Sequence, residues 1–353
     1  MRIAIVCKVI DNFGDAGFCL RLGKALANRN HHVFLLHDHP ATLQLLYPRT
    51  EFNSLNLIEA SSPDFDHGQI GALDLIIEPF GTSSEQTEHR FELALKTAYA
   101  SAPWLVVDYL SAEDWVENFH LSQAVDPRTG HRSTLFYPGF SSKTGGLIHC
   151  DCSAKSQHHS TTDSPNNQLI FVFAYPNAPL KQLAAGCEQA NRAGANWHID
   201  RAGATTKEQA LTQLVQNIEF RPQSEFDDLL AQYDVLFVRG EDSFVRAQLA
   251  GKPMIWQIYP TEDNAHRVKL QQFFSLYSAE LEPKAAVALW RCWLAWNCTD
   301  EQLDMADCWL ALLAHLPTLK AHALRWQHRL LEGPELVSEI LTWRSKQTPT
   351  LQN

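Results

Sequence analysis

The segment Arg239-Gly240-Glu241-Asp242-Ser243-Phe244 gathers a fixed cation, two carboxylates and a hydroxyl within six residues. Ahead of it, Asp234-Val235-Leu236-Phe237-Val238 reads as a short buried strand. Behind it, Phe244 to Ala250 has helical spacing closed by Gly251 and Pro253. A strand handing over to a helix is where open α/β sheets bind ligands, and the free N–H groups of a helix start, backed by Arg239, suit an anion such as a diphosphate. Asp and Ser at a helix start are also ordinary N-caps, so this fragment alone leaves both roles open.

A second constellation, Asp11-Asn12-Phe13-Gly14-Asp15-Ala16-Gly17, lies between the first strand and the first helix. Only Gly14 and Gly17 are present, so the glycine spacing of a dinucleotide-binding fingerprint is absent. The loop offers two carboxylates at the carboxyl end of a strand, a geometry suited to gripping a cation or taking a proton. Helix capping by Asp15 and simple solvation of Asp11 are the more frequent uses of such acids. No Ser-His-Asp or His-Glu-x-x-His arrangement supports a hydrolase. His149-Cys150-Asp151-Cys152, followed by His158 and His159, lacks a second cysteine pair at finger-like spacing, and no metal is expected.

The elements that must carry these residues alternate. Arg2 to Val9, His32 to Leu36, Leu73 to Glu78, Trp104 to Tyr109 and Arg132 to Tyr137 read as strands, with a helix over Gly17 to Ala27. The polar run from Ser153 to Pro165 has almost nothing to bury and reads as a linker. Alternation then resumes: strands at Gln168 to Ala174, Trp197 to Asp200 and Ile218 to Phe220, and helices at Leu180 to Ala193, Lys207 to Val215 and Phe226 to Gln232. Beyond about Asn264 the pattern is helical, with Trp290, Trp293, Trp296 and Trp309 at core-like spacings. The expected fold class is α/β, two Rossmann-like domains with largely parallel sheets facing across a cleft, and terminal helices packing back. The boundaries read 1–152, a linker over 153–166, and 167–332, with a helix at about 333–353 returning to the first domain.

The 353 residues exceed one comfortable core and fit two domains. A composition of 45% hydrophobic and 20% charged residues is that of a folded globular chain. The formal charge of −11 argues against nucleic acid as a direct partner. Apolar runs are strand-sized, so no membrane span is expected, and Lys8 and Asp11 interrupt any secretory h-region. Eight dilute cysteines fit reduced core thiols, and the expected compartment is the cytoplasm.

Five blocks carry a resemblance: Asp11-Asn12-Phe13-Gly14-Asp15; Tyr109-Leu110-Ser111-Ala112-Glu113-Asp114-Trp115-Val116; Tyr137-Pro138-Gly139-Phe140 with Thr144-Gly145-Gly146-Leu147; Arg239 to Ser243; and Trp256-Gln257-Ile258-Tyr259-Pro260. Together, in this order, they resemble the EarP family, the arginine rhamnosyltransferases of elongation factor P. Leu20 departs from the family, which often has tryptophan there. The resemblance implies a GT-B glycosyltransferase, a TDP-β-L-rhamnose donor, and transfer with inversion onto one arginine of elongation factor P, supporting translation of polyproline stretches. It maps nucleotide-sugar binding onto Phe173, Tyr175, Phe220, Gln223, Phe226, Arg239, Glu241, Asp242 and Ser243. Arg239 and a helix start can replace a cation at the diphosphate, so no cofactor is expected.

The chemistry of the residues is compatible with that reaction. A guanidinium has a pKa above roughly 12 and is a poor nucleophile until it is oriented and its proton has a destination. Two carboxylates can grip its planar fork and receive that proton, which makes Asp15 the expected general base and Asp11 its orienting partner. Glu241 stands with them as a catalytic candidate, accepting hydrogen bonds from sugar hydroxyls. Ser243 would donate to the diphosphate. Two other readings remain open on the residues: a GT-B transferase with another sugar or acceptor, and a non-catalytic nucleotide-sugar sensor.

Overall fold

The computed structural model describes residues 1–9, 12–47, 55–62, 65–81, 90–127, 129–149, 167–203, 213–261, 264–300 and 302–347. The chain divides into two compact units, Met1–Asp151 with Leu331–Asn353, and Cys152–Leu330.

In the first unit the alternating pattern becomes β1 (Arg2–Cys7), α1 (Asn12–Ala27), β2 (His32–His37), α2 (Pro40–Leu46), β3 (Leu55–Glu59), β4 (Leu75–Pro79), α3 (Arg90–Ala98), β5 (Trp104–Val107), α4 (Trp115–Phe119), β6 (Gln123–Val125) and β7 (Arg132–Phe136). Among the described residues these strands form one sheet in the order β3-β2-β1-β4-β5-β7-β6, parallel except for the β6–β7 pair. The continuous apolar runs of β1 and β4 are buried along nearly their whole length, as expected of strands covered on both faces. Because β1 lies inside the sheet, the chain leaves it in both directions, and the carboxyl ends of β1 and β4 diverge at a topological switch point. That is where Asp15 and Phe80 enter the structure.

The second unit contains β8 (Gln168–Val172), α5 (Leu180–Arg192), β9 (Trp197–Arg201), β10 (Val215–Asn217), α6 (Gln223–Ala231), β11 (Val235–Arg239), α7 (Asp242–Leu249), β12 (Met254–Gln257), α8 (Ala265–Ser278), α9 (Pro283–Trp296), α10 (Met305–Leu313) and α11 (Leu316–Glu332). Its parallel sheet runs β10-β9-β8-β11-β12, with the switch point between β8 and β11. Trp293, Trp296 and Trp309 are completely buried, and Phe237 meets Trp296 edge-on at 4.6 Å, so the tryptophans are core.

Several boundaries differ from the sequence reading. Strand pairing continues over Val215–Asn217, so the helix expected up to Val215 does not reach that residue and the strand expected at 218–220 lies earlier. Most of that expected helix, 207–212, lies outside the described residues. Helix α1 starts at Asn12, ahead of the expected Gly17, so Asp15 sits inside its first turn and cannot be its N-cap. Asp11, the linker and the Cys150/Cys152 cluster also lie outside the described residues. Among those described, no cluster of His, Cys, Asp and Glu could hold a metal ion, and no helix is long and apolar enough to cross a membrane.

The last helix, α12 (Leu336–Gln347), belongs to the first unit, and a glycine pair explains how. Leu147 N–H donates to the Pro334 carbonyl at 3.2 Å, Leu336 N–H returns to the Leu147 carbonyl at 2.8 Å, and Arg29 pairs with Glu335 at 2.7 Å. Gly146 has φ 69, and a Cβ there would come 1.9 Å from the Pro334 carbonyl oxygen. At Gly145 a Cβ would come 2.1 Å from the Phe136 ring. Gly146→Ala should therefore destabilise the fold by about 3 kcal/mol or more, read as a lowered thermal midpoint of the full chain.

Between α4 and β7 the His120 ring accepts the Tyr137 N–H at Nδ1, 3.1 Å away, and packs on Phe136. Burial pulls its pKa down from the ordinary 6.5 to about 4. The unfolded chain takes up this proton near pH 6.5, the folded chain only near pH 4, so stability is full above the upper value and is lost as pH falls across that window. His37, His131 and His322 are lowered by burial too. His120→Asn, which keeps an acceptor for Tyr137, should flatten this acid slope without abolishing it, as followed by urea unfolding at a series of pH values.

Candidate functional site

Each unit carries a group of polar and aromatic side chains at its own switch point. In the second unit, β11 ends at Arg239 and the chain turns through Gly240 at φ 63 into α7. Only glycine adopts this left-handed conformation without strain. The turn is fixed by the buried Trp256 indole, whose N–H donates to the Gly240 carbonyl at 2.9 Å while its ring stacks on Phe244 at 3.9 Å. The Ser243 hydroxyl donates back to the Arg239 carbonyl.

So held, Arg239 lays its guanidinium over two rings that follow β8, Phe173 and Tyr175, each 4.5 Å away. Cation–π contact with both faces fixes the orientation of the charge, while the guanidinium edge keeps its in-plane donors. On the β9 side, a Cβ at Gly203 would come 3.0 Å from the Phe173 ring, so the chain passes close beside it. The Tyr175 N–H donates to Gln257 Oε1 at 2.7 Å, and Gln257 Nε2 donates to Asn177 Oδ1 at 3.0 Å. Gln257 ends β12 and is only 2% exposed, so its amide clamps the loop after β8 to the neighbouring strands. Tyr259 meets Tyr175 edge-on at 5.7 Å.

The acids of the motif separate. Asp242 is the first residue of α7, within its positive N-terminal turn. Glu241 precedes it without capping it, and its carboxylate lies 2.7 Å from Lys269 of α8. Ser243 is 6% exposed, and its hydroxyl bonds locally, to the carbonyl one turn before it at the strand end. Gln223 opens α6 and is buried, Phe220 lies in the loop before it, and Phe226 sets its ring edge against buried Phe171 at 5.9 Å. These three follow β10, while the Phe173–Tyr175–Arg239 group sits at β8 and β11. Lys269 and Gln257 were not among the sequence candidates. A glutamine closing an otherwise apolar strand was a readable signal for Gln257; nothing local marks Lys269.

In the first unit Asp15 is 2% exposed, in the first turn of α1. Phe18, one turn on, packs against Phe80 at 5.0 Å, and Phe80, at φ 68 just past β4, stacks on Tyr109 at 4.2 Å. Glu78 turns the other way, into the core: Trp104 Nε1 donates to it at 2.7 Å and Lys96 lies 3.9 Å off. The Tyr109 and Tyr137 blocks come together, with Ser111 N–H donating to the Pro138 carbonyl at 3.3 Å and Trp115, 42% exposed, edge-on to Tyr137 at 5.2 Å. His266 is tied to its own turn, its Nδ1 accepting the Thr261 N–H at 3.0 Å.

Residues 3–345 match the sequence profile of the family described as elongation factor P (EF-P) rhamnosyltransferase EarP. The protein-arginine rhamnosyltransferase of Pseudomonas putida is 31% identical, the match covering 96% of this chain and 97% of that one. That of Neisseria meningitidis is 29% identical over 97% and 96% of the two chains. Among solved structures, one concerning EarP-mediated arginine glycosylation of elongation factor EF-P superposes with a TM-score of 0.61 at 24% identity, covering 98% of this chain and 99% of that one. The calicheamicin glycosyltransferase CalG4 superposes with a TM-score of 0.54 at 14% identity, covering 99% of each chain. The fold is that of the GT-B glycosyltransferases.

The clamp at Gln257 makes a prediction independent of any activity. Gln257→Leu strips the Tyr175 N–H and the Asn177 amide of their partner and should cost about 1–3 kcal/mol, measured by denaturant unfolding.

Proposed function

Because the chain belongs to the EarP family of elongation factor P rhamnosyltransferases and is a protein-arginine rhamnosyltransferase, we propose that it takes rhamnose from TDP-β-L-rhamnose and transfers it with inversion to an arginine of elongation factor P. The observation that carries the donor reading is the Arg239 guanidinium fixed over Phe173 and Tyr175 beside the start of α7. Its in-plane N–H groups suit a diphosphate, the α7 N-terminus adds positive potential, and the surrounding aromatic faces suit a thymine ring. Arg239 and the helix start do the work a metal ion does in other nucleotide-sugar sites, so the reaction needs no cofactor. Phe220, Gln223, Asp242 and Glu241 complete the donor site in this proposal, with Phe226 supporting it from the core side and Ser243 through the Arg239 carbonyl.

Asp15 is the general base. Its position in the first turn of α1 gives an anionic carboxylate the favourable end of the helix dipole. The acceptor guanidinium is proposed to lie against the Phe80–Tyr109 stack while Asp15, with Asp11, grips its edge and takes the proton as the C–N bond forms. TDP leaves as the anion, and a single displacement needs no covalent enzyme intermediate. A chain with no membrane-crossing helix among its described residues, acting on a translation factor, is proposed to work in the cytoplasm.

The test is the intact mass of elongation factor P after incubation with the protein and TDP-β-L-rhamnose. A gain of one deoxyhexosyl unit on arginine is expected, unchanged by a chelator, and about 100-fold slower or more with Asp15→Asn. Full activity of that variant would remove Asp15 as the base; no gain with wild-type protein would refute the donor or the acceptor.

A further inference from the structure

Glu241 poses an electrostatic difficulty. It adjoins the turn proposed to receive a diphosphate, and a carboxylate beside that anion opposes binding of the donor and of the leaving group. The structure contains an answer in its own unit. Glu241 has helical backbone angles, φ −97 and ψ −57, and no side-chain hydrogen bond to the α7 N–H groups. Its Oε1 is instead 2.7 Å from Lys269 Nζ, with the two side chains only 15% and 20% exposed. Arg239 is differently oriented, its guanidinium lying over the rings of Phe173 and Tyr175.

The supports of this pair are built in. Lys269 lies in the second turn of α8, whose start is set by Asn264 at φ 61 and by the reciprocal Thr261–His266 turn, in which His266 N–H donates to Thr261 Oγ1 at 3.3 Å. Farther along α8, Phe273 meets Phe244 of α7 at 4.6 Å, so α8 and α7 are packed together. The ammonium thus reaches Glu241 from a fixed helix, and a shielded ion pair on such a base is stronger than the exposed pairs that contribute little.

We propose that Lys269 is a positioning residue for rhamnosyl transfer, its ammonium neutralising and aiming the Glu241 carboxylate so that Glu241 can face the sugar hydroxyls while the diphosphate is held by Arg239 and the start of α7. The inference rests on the donor-site reading above. It makes one charge conditional on another: removing Lys269 harms nucleotide binding because Glu241 loses the positive charge beside it, and removing both charges relieves the harm.

The experiment is calorimetric titration of TDP into the full-length wild type, Lys269→Met, Lys269→Arg, Glu241→Gln and the Glu241→Gln/Lys269→Met double variant. Lys269→Met should weaken TDP binding about tenfold, Lys269→Arg should restore most of it, and the double variant should bind within about threefold of Glu241→Gln. The double variant also lacks the ion pair, so its recovery separates electrostatics from folding. With donor saturating, Lys269→Met should in addition lower kcat, since Glu241 is no longer aimed at the sugar. Wild-type binding of Lys269→Met, or a double variant as weak as Lys269→Met, overturns the inference while leaving the donor site standing. Failure of the wild type itself to bind TDP refutes the donor site and the inference with it.

Discussion

One hydrogen bond organises the second unit's site: the Trp256 indole N–H donating to the Gly240 carbonyl. It pins a left-handed residue between a buried strand and a helix, and so fixes the directions of the residues on either side. Arg239 is sent over the aromatic pair at the end of β8, and Glu241 is sent toward α8. A buried tryptophan needs a partner for its N–H, and here that need is met by the Gly240 carbonyl in the turn. The stacked Phe244 beneath it belongs to the same helix that the turn starts, so core packing and site geometry are one arrangement.

The charge pattern follows from that turn. A guanidinium between two aromatic faces gives up little hydration and retains its edge for an anion. A carboxylate one residue past the glycine would oppose an anion held there unless paired, and Lys269 supplies the pairing from a helix 28 residues later in the chain. Gln257 does comparable work without charge, satisfying a backbone N–H and a side-chain amide that would otherwise be stranded near the core.

The first unit solves a different problem. Its terminal helix returns to the sheet-bearing half through a backbone exchange at Leu147, which requires Gly145 and Gly146 to carry no side chain. Thr144-Gly145-Gly146-Leu147, which in the sequence stands beside motifs that could bind a ligand, is therefore a docking seam. Glu78 shows the same lesson from the other direction: an acid at a strand end, where ligands bind, is satisfied by Trp104 and Lys96 inside the fold.

The sequence by itself determined the class of fold and the chemistry available. Apolar runs of strand length alternating with helical spacing dictate parallel sheets, and an acid loop after the first strand with Arg239 to Ser243 after a later one marks the candidate residues, because these patterns depend on neighbours only a few residues away. Tertiary structure decided which of them meet. Phe173, Tyr175 and Arg239 come together because β8 and β11 are adjacent in the sheet though far apart in the chain. Phe80 meets Tyr109 through a left-handed turn that no spacing announces, Ser243 spends its proton on a backbone carbonyl, and Glu241 acquires Lys269. Periodicity records which face of an element is buried; strand order and helix packing alone determine what that face is buried against.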